Sequence, residues 1–169
     1  MNIRLARPKD LPRLNEMFTA IVEHMDRTGV PIWNEFYPFD YFEEDIETGV
    51  MYVLEDEHTI TAAFSLCREC EGAAHVTWQR PGAPAIYFDR FGVSTEHRRM
   101  GVGRQAIAHA EAIARELGGE YLRLFVVDIN RPAISFYENC GFVRAAGHYD
   151  EVINEHTTLR EFGYEKPLA

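Results

Sequence analysis

Residues His97-Arg98-Arg99-Met100-Gly101-Val102-Gly103-Arg104 set a basic, glycine-bearing turn directly before the alanine-rich amphipathic run Val102 to Leu117. Glycines let a backbone come close to a ligand, the first amides of a helix point outward without partners, and the helix dipole adds partial positive charge at the same place. Arg98, Arg99 and Arg104 bring full charges to this turn in a chain whose formal net charge is -10. An anionic cofactor is the simplest reason for such a local reversal of charge.

Two familiar phosphate sites fit the turn poorly. A nucleotide-triphosphate loop ends in Gly-Lys-Ser/Thr, and Gly103-Arg104-Gln105 has neither the lysine nor the hydroxyl. A dinucleotide fingerprint is matched on paper by Gly101, Gly103 and Ala106, with Asp128 as the ribose acid. That fingerprint follows directly from a strand, whereas Ser94 to Met100 intervenes after Val93, and Asp128 lies beyond the usual spacing of about 20 residues.

The elements that must carry the turn alternate along the chain. Ile3 and Leu5 read as a first strand, and Asp10 is expected to cap a helix with Leu11, Leu14, Phe18, Ile21 and Met25 on its apolar face. Gly29-Val30-Pro31 breaks it, and an aromatic loop, Trp33 to Phe39, leads to a short acidic helix capped by Asp40 and ended by Gly49. Met51 to Leu54 and Thr59 to Leu66 form a hairpin around Glu55 to His58. Ala85 to Val93 is a long strand, the helix from Gly101 to Leu117 follows, Tyr121 to Val127 is a buried strand, and Arg131 to Cys140 is a helix stopped by Gly141. Phe142 to Ala145 and Thr158 to Tyr164 supply closing strands. Hairpins first and strand-helix-strand crossovers second give a mixed α/β sheet.

Composition bounds the function classes. The 169 residues, 46% hydrophobic and 12% aromatic, suffice for one core, so a single domain over 1–169 is expected. The acidic balance argues against a nucleic-acid partner and is compatible with cationic substrates. Three cysteines, no leader-like start over Met1 to Asp10 and no apolar run of membrane length predict a cytoplasmic protein without a membrane partner. The assembly state stays open, with a homodimer the commonest form.

A second segment assigns the turn. Arg98-x-x-Gly101-x-Gly103 resembles the Q/R-x-x-G-x-G/A signature of the GNAT superfamily of acetyl-CoA-dependent N-acetyltransferases, and Asn130 through Phe142 resembles that family's N-x-x-A-x-x-F-Y-x-x-x-G-F segment. The order of elements agrees over nearly the whole chain. One departure is Arg99, which stands where many members have glycine. The resemblance implies a mixed, mostly antiparallel sheet with a splayed central strand pair and flanking helices, and acetyl-CoA as cosubstrate. It also implies that Phe91, Gly92 and Val93 pair with the pantetheine arm, with the Val93 amide facing the oxyanion. Arg98, Arg99, Met100, Gly101, Val102, Gly103 and Arg104 would hold the pyrophosphate, and Asn130, Ala133 and Phe136 would line the cofactor side. Tyr137 would protonate the departing thiolate.

Acyl transfer to nitrogen also needs a base, because an ammonium has no free electron pair. Asp89 is the candidate: alternation puts it on one face with Phe91 and Val93. Glu23 and His148 are weaker ones. Trp33 and Tyr37 fall where many members of the family form an acceptor wall. Cys67-Arg68-Glu69-Cys70 has no second pair and predicts no metal site, Cys140 is expected to be a small buried side chain, and the acidic run Asp40 to Glu47 to be a solvated face. The expected activity is acetylation of a primary amine, a small molecule first, by direct attack in a ternary complex. A protein lysine or N-terminal amine as acceptor, and a non-catalytic acyl-CoA sensor, are the alternatives.

Overall fold

The computed structural model describes residues 1–169, whose contacts divide into two compact units: Met1–Leu66 with Asp89–Ala110, and Cys67–Phe88 with Glu111–Ala169. In the first unit, β1 (Asn2–Leu5) pairs antiparallel with β2 (Met51–Asp56), and β2 with β3 (Thr59–Cys67). The β2–β3 hairpin is tighter than the sequence suggests. Its first strand runs on past Leu54 to Asp56 while the second starts at Thr59 as expected, and the turn is the pair Glu57-His58 with φ of 45° and 71°, both left-handed as a type I′ turn requires. Next to β3 in the sheet lies β5 (Ala85–Val93), the strand that carries the chain between units.

The apolar stripe of the first helix is buried as its spacing predicts. In α1 (Leu11–Arg27), Leu14, Met17, Phe18 and Ile21 join Phe42, Ile46, Met51, Val53, Ile60 and Ala63 in one core cluster, each fully buried large side chain contributing about 1.5–3 kcal/mol. The expected cap is not made. Asp10 closes a 3-10 turn, Pro8–Asp10, where its carboxylate accepts the Arg7 N–H at 2.7 Å and both terminal nitrogens of Arg4 at 2.7 and 3.0 Å, and it makes no side-chain bond to the amides of α1. Hydrogen bonding to Arg4 keeps the Asp10 carboxyl below its ordinary value. Asp40 likewise makes no side-chain cap for α2 (Phe42–Glu47), whose N-cap position is Tyr41.

The second unit holds the rest of the sheet. The start of β5 runs parallel to β6 (Tyr121–Val127) only where Ala85–Tyr87 face Tyr121–Arg123, which is the short contact expected of a splayed central pair. The long C-terminal strand β10 (Thr157–Pro167) lies antiparallel to β6, to β7 (Val143–Arg144) and to β9 (Tyr149–Asn154), while β4 (Val76–Thr77) and β8 (Ala146–Gly147) form a separate two-stranded ribbon. Strand β9 has no counterpart in the sequence expectations. Its burial is low throughout and Val152 is 72% exposed, so no apolar alternation marks it. Across β6 and β10, Arg123 and Glu165 are a buried pair at 3.2 Å; Glu165 also accepts the Gln79 N–H at 2.6 Å, and Arg123 stacks on Trp78 at 4.5 Å.

Two more helices, α3 (Val102–Glu116) and α4 (Arg131–Asn139), complete the mixed, mostly antiparallel fold. All four helices close alike, with an amide beyond the cap reaching five residues back: Val30 to Met25, Val50 to Asp45, Gly119 to Ala114 and Phe142 to Tyr137, at 2.8 to 3.1 Å. No helix is long and apolar enough to cross a membrane.

Gly92 is dictated by packing. A Cβ there would lie 2.8 Å from both Phe18 Cζ and Ile21 Cδ1, inside the α1 core face. Gly92→Ala should therefore destabilise the protein by about 1–3 kcal/mol, the usual penalty of overpacking. Chemical denaturation checks this, and a midpoint equal to the parent's would refute the tight contact.

Candidate functional site

In the first unit the basic turn is built as the sequence suggests. A 3-10 turn, Thr95–His97, follows β5, the Ser94 amide donates to the Thr61 carbonyl at 2.8 Å, and α3 starts at Val102, whose side chain is buried. Arg98, Arg99, Met100, Gly101 and Arg104 are exposed around this anchor. The backbone is left-handed at Arg99, φ 62°, and at Gly101, φ 78°. Left-handed residues within a turn bend consecutive amides into a concave cluster that suits anionic oxygens. Arg99 thus adopts the conformation a glycine takes most easily, at a penalty of about 1–2 kcal/mol for a side-chain-bearing residue. Nearby, desolvation and then the charges of Arg98 and Arg27 push the His24 imidazole below its ordinary value, a sign of positive potential beside the turn. Exposed arginines, outward amides and a helix start are a donor set that fits a pyrophosphate.

Strand β5 supplies the acidic partner. Phe91 and Val93 are half-buried and Gly92 is buried, with Asp89 40% exposed at the side chain. Asp89 accepts three hydrogen bonds, from the Arg90 N–H at 2.7 Å, Arg90 Nη1 at 2.9 Å and the Tyr37 hydroxyl at 3.2 Å. A carboxylate has about four lone-pair positions, so about one remains for an ammonium or a water. Burial and the Asp89 charge push the Tyr37 phenol well above its ordinary value, so it stays a donor. Tyr37 is edge-on to Trp33 at 6.3 Å and to Tyr41 at 5.5 Å, and Trp33 stacks on Phe18 at 5.5 Å, so the aromatic loop and Asp89 are brought together.

Sequence reasoning missed two members of this cluster. Arg90 has φ 48°, which kinks β5 in mid-strand, and its guanidinium is buried against Asp45 with Nε to Oδ2 at 2.6 Å and Nη2 to Oδ1 at 3.0 Å. Burial opposes the Arg90 charge, but Asp89 and Asp45 outweigh it and raise its pKa. The acidic run Asp40 to Glu47 is therefore not simply a solvated face: Asp45 is 5% exposed and also accepts the Ser65 hydroxyl at 2.6 Å. The signal was present in the spacing, since Phe42, Asp45 and Ile46 recur at i, i+3 and i+4 on one helical face.

The second motif belongs to the second unit. Asn130 is the N-cap of α4, its side chain accepting the Ala133 N–H at 3.3 Å, which explains the asparagine that opens the motif; Ala133 and Phe136 are half-buried. At the other end Gly141, φ 88°, lets its own amide reach Glu138 at 3.0 Å and the Phe142 amide reach Tyr137 at 3.1 Å. The Tyr137 and Phe142 rings meet at 5.8 Å, the apolar contact that accompanies such a helix end. Tyr137 is 9% exposed and also touches Phe136 at 5.4 Å.

Glu23 is exposed, and His148 is exposed with its imidazole 3.5 Å from Asp150. Cys140 is half-buried rather than buried, because it is the C-cap residue of α4 and the helix surface ends there. Only Cys67 of the Cys67/Cys70 pair lies on a strand, and no group of His, Cys, Asp or Glu is arranged to hold a metal.

Known proteins sharpen this picture. The model of the acetyltransferase (GNAT) family matches residues 18–142. A streptothricin acetyltransferase of Streptomyces lavendulae is 44% identical over 50 residues, 30% of this chain and 26% of that protein, so the match spans about a quarter of that relative's length. YwnH of Bacillus subtilis (strain 168), named provisionally for phosphinothricin acetylation, is 26% identical over 144 residues, 84% of this chain and 83% of that protein. The structure of yncA from Salmonella typhimurium, solved with its cofactor acetyl-CoA, has the same fold, with a TM-score of 0.69 and 18% identity over 100% of this chain and 94% of that one.

Proposed function

Because the chain belongs to the GNAT acetyltransferase family, we propose that its residues 1–169 act as one N-acetyltransferase domain that moves the acetyl group of acetyl-CoA to a primary amine, a small molecule before all others. The observation that carries the proposal is the turn Arg98–Arg104, where left-handed Arg99 and Gly101 and exposed arginines precede α3. Relatives named for streptothricin and phosphinothricin, both small molecules, favour that class of acceptor.

Acetyl-CoA supplies an activated acyl carbon with a thiolate leaving group. The amides and guanidinium groups of residues 98–104 bind its pyrophosphate, and the backbone of Phe91, Gly92 and Val93 receives the pantetheine arm, with the Val93 N–H donating to the oxygen that gains charge. Asn130, Ala133 and Phe136 line the cofactor side. Asp89 receives the acceptor's ammonium and takes its proton directly or through a water, using the lone pair left by Arg90 and Tyr37. Trp33 and Tyr37 form the acceptor wall. Tyr137 returns a proton to the departing sulfur.

Thiol release from acetyl-CoA across a panel of amines and peptides tests this. Acceptor-dependent release with small amines is expected, release with peptides alone would shift the acceptor to proteins, and saturable binding without any release would mark a sensor. Absence of acetyl-CoA binding would sink the proposal. Asp89→Asn should lower the acceptor rate by on the order of 10²-fold near pH 6, and less as pH rises, since free amine becomes abundant toward an ammonium pKa of about 10. An unaltered pH-rate profile would remove Asp89 as the base.

A further inference from the structure

Arg90 occupies a backbone conformation that few side-chain-bearing residues adopt, in the middle of the strand that carries Asp89 and Val93. Such a residue persists only where its surroundings hold it. Here the hold is specific: Asp45 of α2 grips the guanidinium with both oxygens, at 2.6 and 3.0 Å, and is itself fixed by the buried Ser65 of β3 at 2.6 Å and by its place in the core stripe of α2. Arg90 also stacks on Tyr41 at 4.9 Å and donates to Asp89 from Nη1 and from its own amide, at 2.9 and 2.7 Å.

The chain Ser65, Asp45, Arg90, Asp89, Tyr37 therefore runs without a break from the core of the first unit to the half-exposed carboxylate. Its last two members are ones to which the acceptor site was assigned above; the first three contact neither ligand in that assignment. A kink held at Arg90 sets where the next residues of β5, Phe91 to Val93, present their amides, and the same guanidinium sets the rotation of the Asp89 carboxylate. A displacement of about 1 Å in either is worth about 100-fold in rate.

We propose that Arg90, locked by Asp45, is a positioning residue for acetyl transfer: it holds the kink of β5 and orients Asp89, and so acts on the reaction through those groups without touching the acyl carbon. This rests on the acetyltransferase reading of the site.

The test separates backbone from side chain. In Arg90→Gly combined with Asp45→Asn, glycine accepts the left-handed conformation without strain, and both buried charges leave together, so neither is stranded. With active sites counted by acetyl-CoA titration, this variant should melt cooperatively and bind acetyl-CoA within about threefold of the parent, while kcat for the amine falls about 10- to 100-fold. Arg90→Lys, which keeps a charge beside Asp45 but loses the two-pronged grip, should fold and lose about 10-fold in kcat. Parent-like kcat per site in either folded variant would overturn the positioning role. Unfolding of both would make the pair a requirement of the fold and overturn it as well. A parent that transfers no acetyl group would sink the acetyltransferase reading and this inference with it, whereas an active parent with an indifferent Arg90 would sink this inference alone.

Discussion

Replacing Tyr137 with phenylalanine is expected to lower kcat for acetyl transfer by about 10²-fold while acetyl-CoA affinity and stability stay close to the parent. The substitution deletes one hydroxyl and keeps the ring, and it is the ring that meets Phe142 at 5.8 Å and Phe136 at 5.4 Å to close α4. Positioned acids contribute about 10² to 10⁴-fold, and a thiolate, with a reference thiol pKa of about 8.5, leaves readily enough to put the effect at the lower end. Steady-state rates with both substrates saturating decide the matter. A kcat within threefold of the parent would leave Tyr137 as a helix-closing aromatic only.

Gly103→Val is expected to act on the other half of the reaction, weakening acetyl-CoA binding about 100-fold, or about 2.7 kcal/mol. Gly103 is the second residue of α3, among the amides that would face the pyrophosphate, and a branched side chain there obstructs the approach of phosphate oxygens. Helix propensity moves the opposite way, since valine is a better helix residue than glycine. Loss of affinity without loss of thermal stability is thus the signature. Calorimetric titration with acetyl-CoA reads it, and an unchanged dissociation constant would show that the cradle lies elsewhere.

How far the sequence reached depends on what each residue type encodes. The bounds of β5, Ala85–Val93, and β6, Tyr121–Val127, were legible because apolar and β-branched residues fill them between clear breaks. The fold class followed from element order. The caps at Asp10 and Asp40 were misjudged because a carboxylate serves whichever donor is nearest, and for Asp10 that donor is the Arg7 amide and the Arg4 guanidinium. Strand β9 was invisible because its partner is β10 alone and its faces carry no alternation. At the candidate site, the glycine turn and the Asn130–Phe142 segment could be named because glycine and helix-end chemistry leave a spacing. The kink at Arg90 could not, since nothing in an arginine announces a positive φ. Its partner Asp45 was hidden by its exposed neighbours Glu43, Glu44 and Glu47, being the one acidic residue of α2 that turns inward.

The two compact units are not two stretches of chain. The first needs residues 1–66 and then 89–110, and the second begins at Cys67 and resumes at Glu111, so β5 and α3 are each divided between them. No single cut of the polypeptide liberates either unit whole. During synthesis, the β2–β3 hairpin is finished long before the segment Asp89–Ala110 that its unit requires, and 22 residues of the other unit emerge in between. The interleaving makes truncation a poor tool for dissecting this protein: a fragment ending at Phe88 has neither the left-handed turn at Arg99 and Gly101 nor the strand half that bears Asp89.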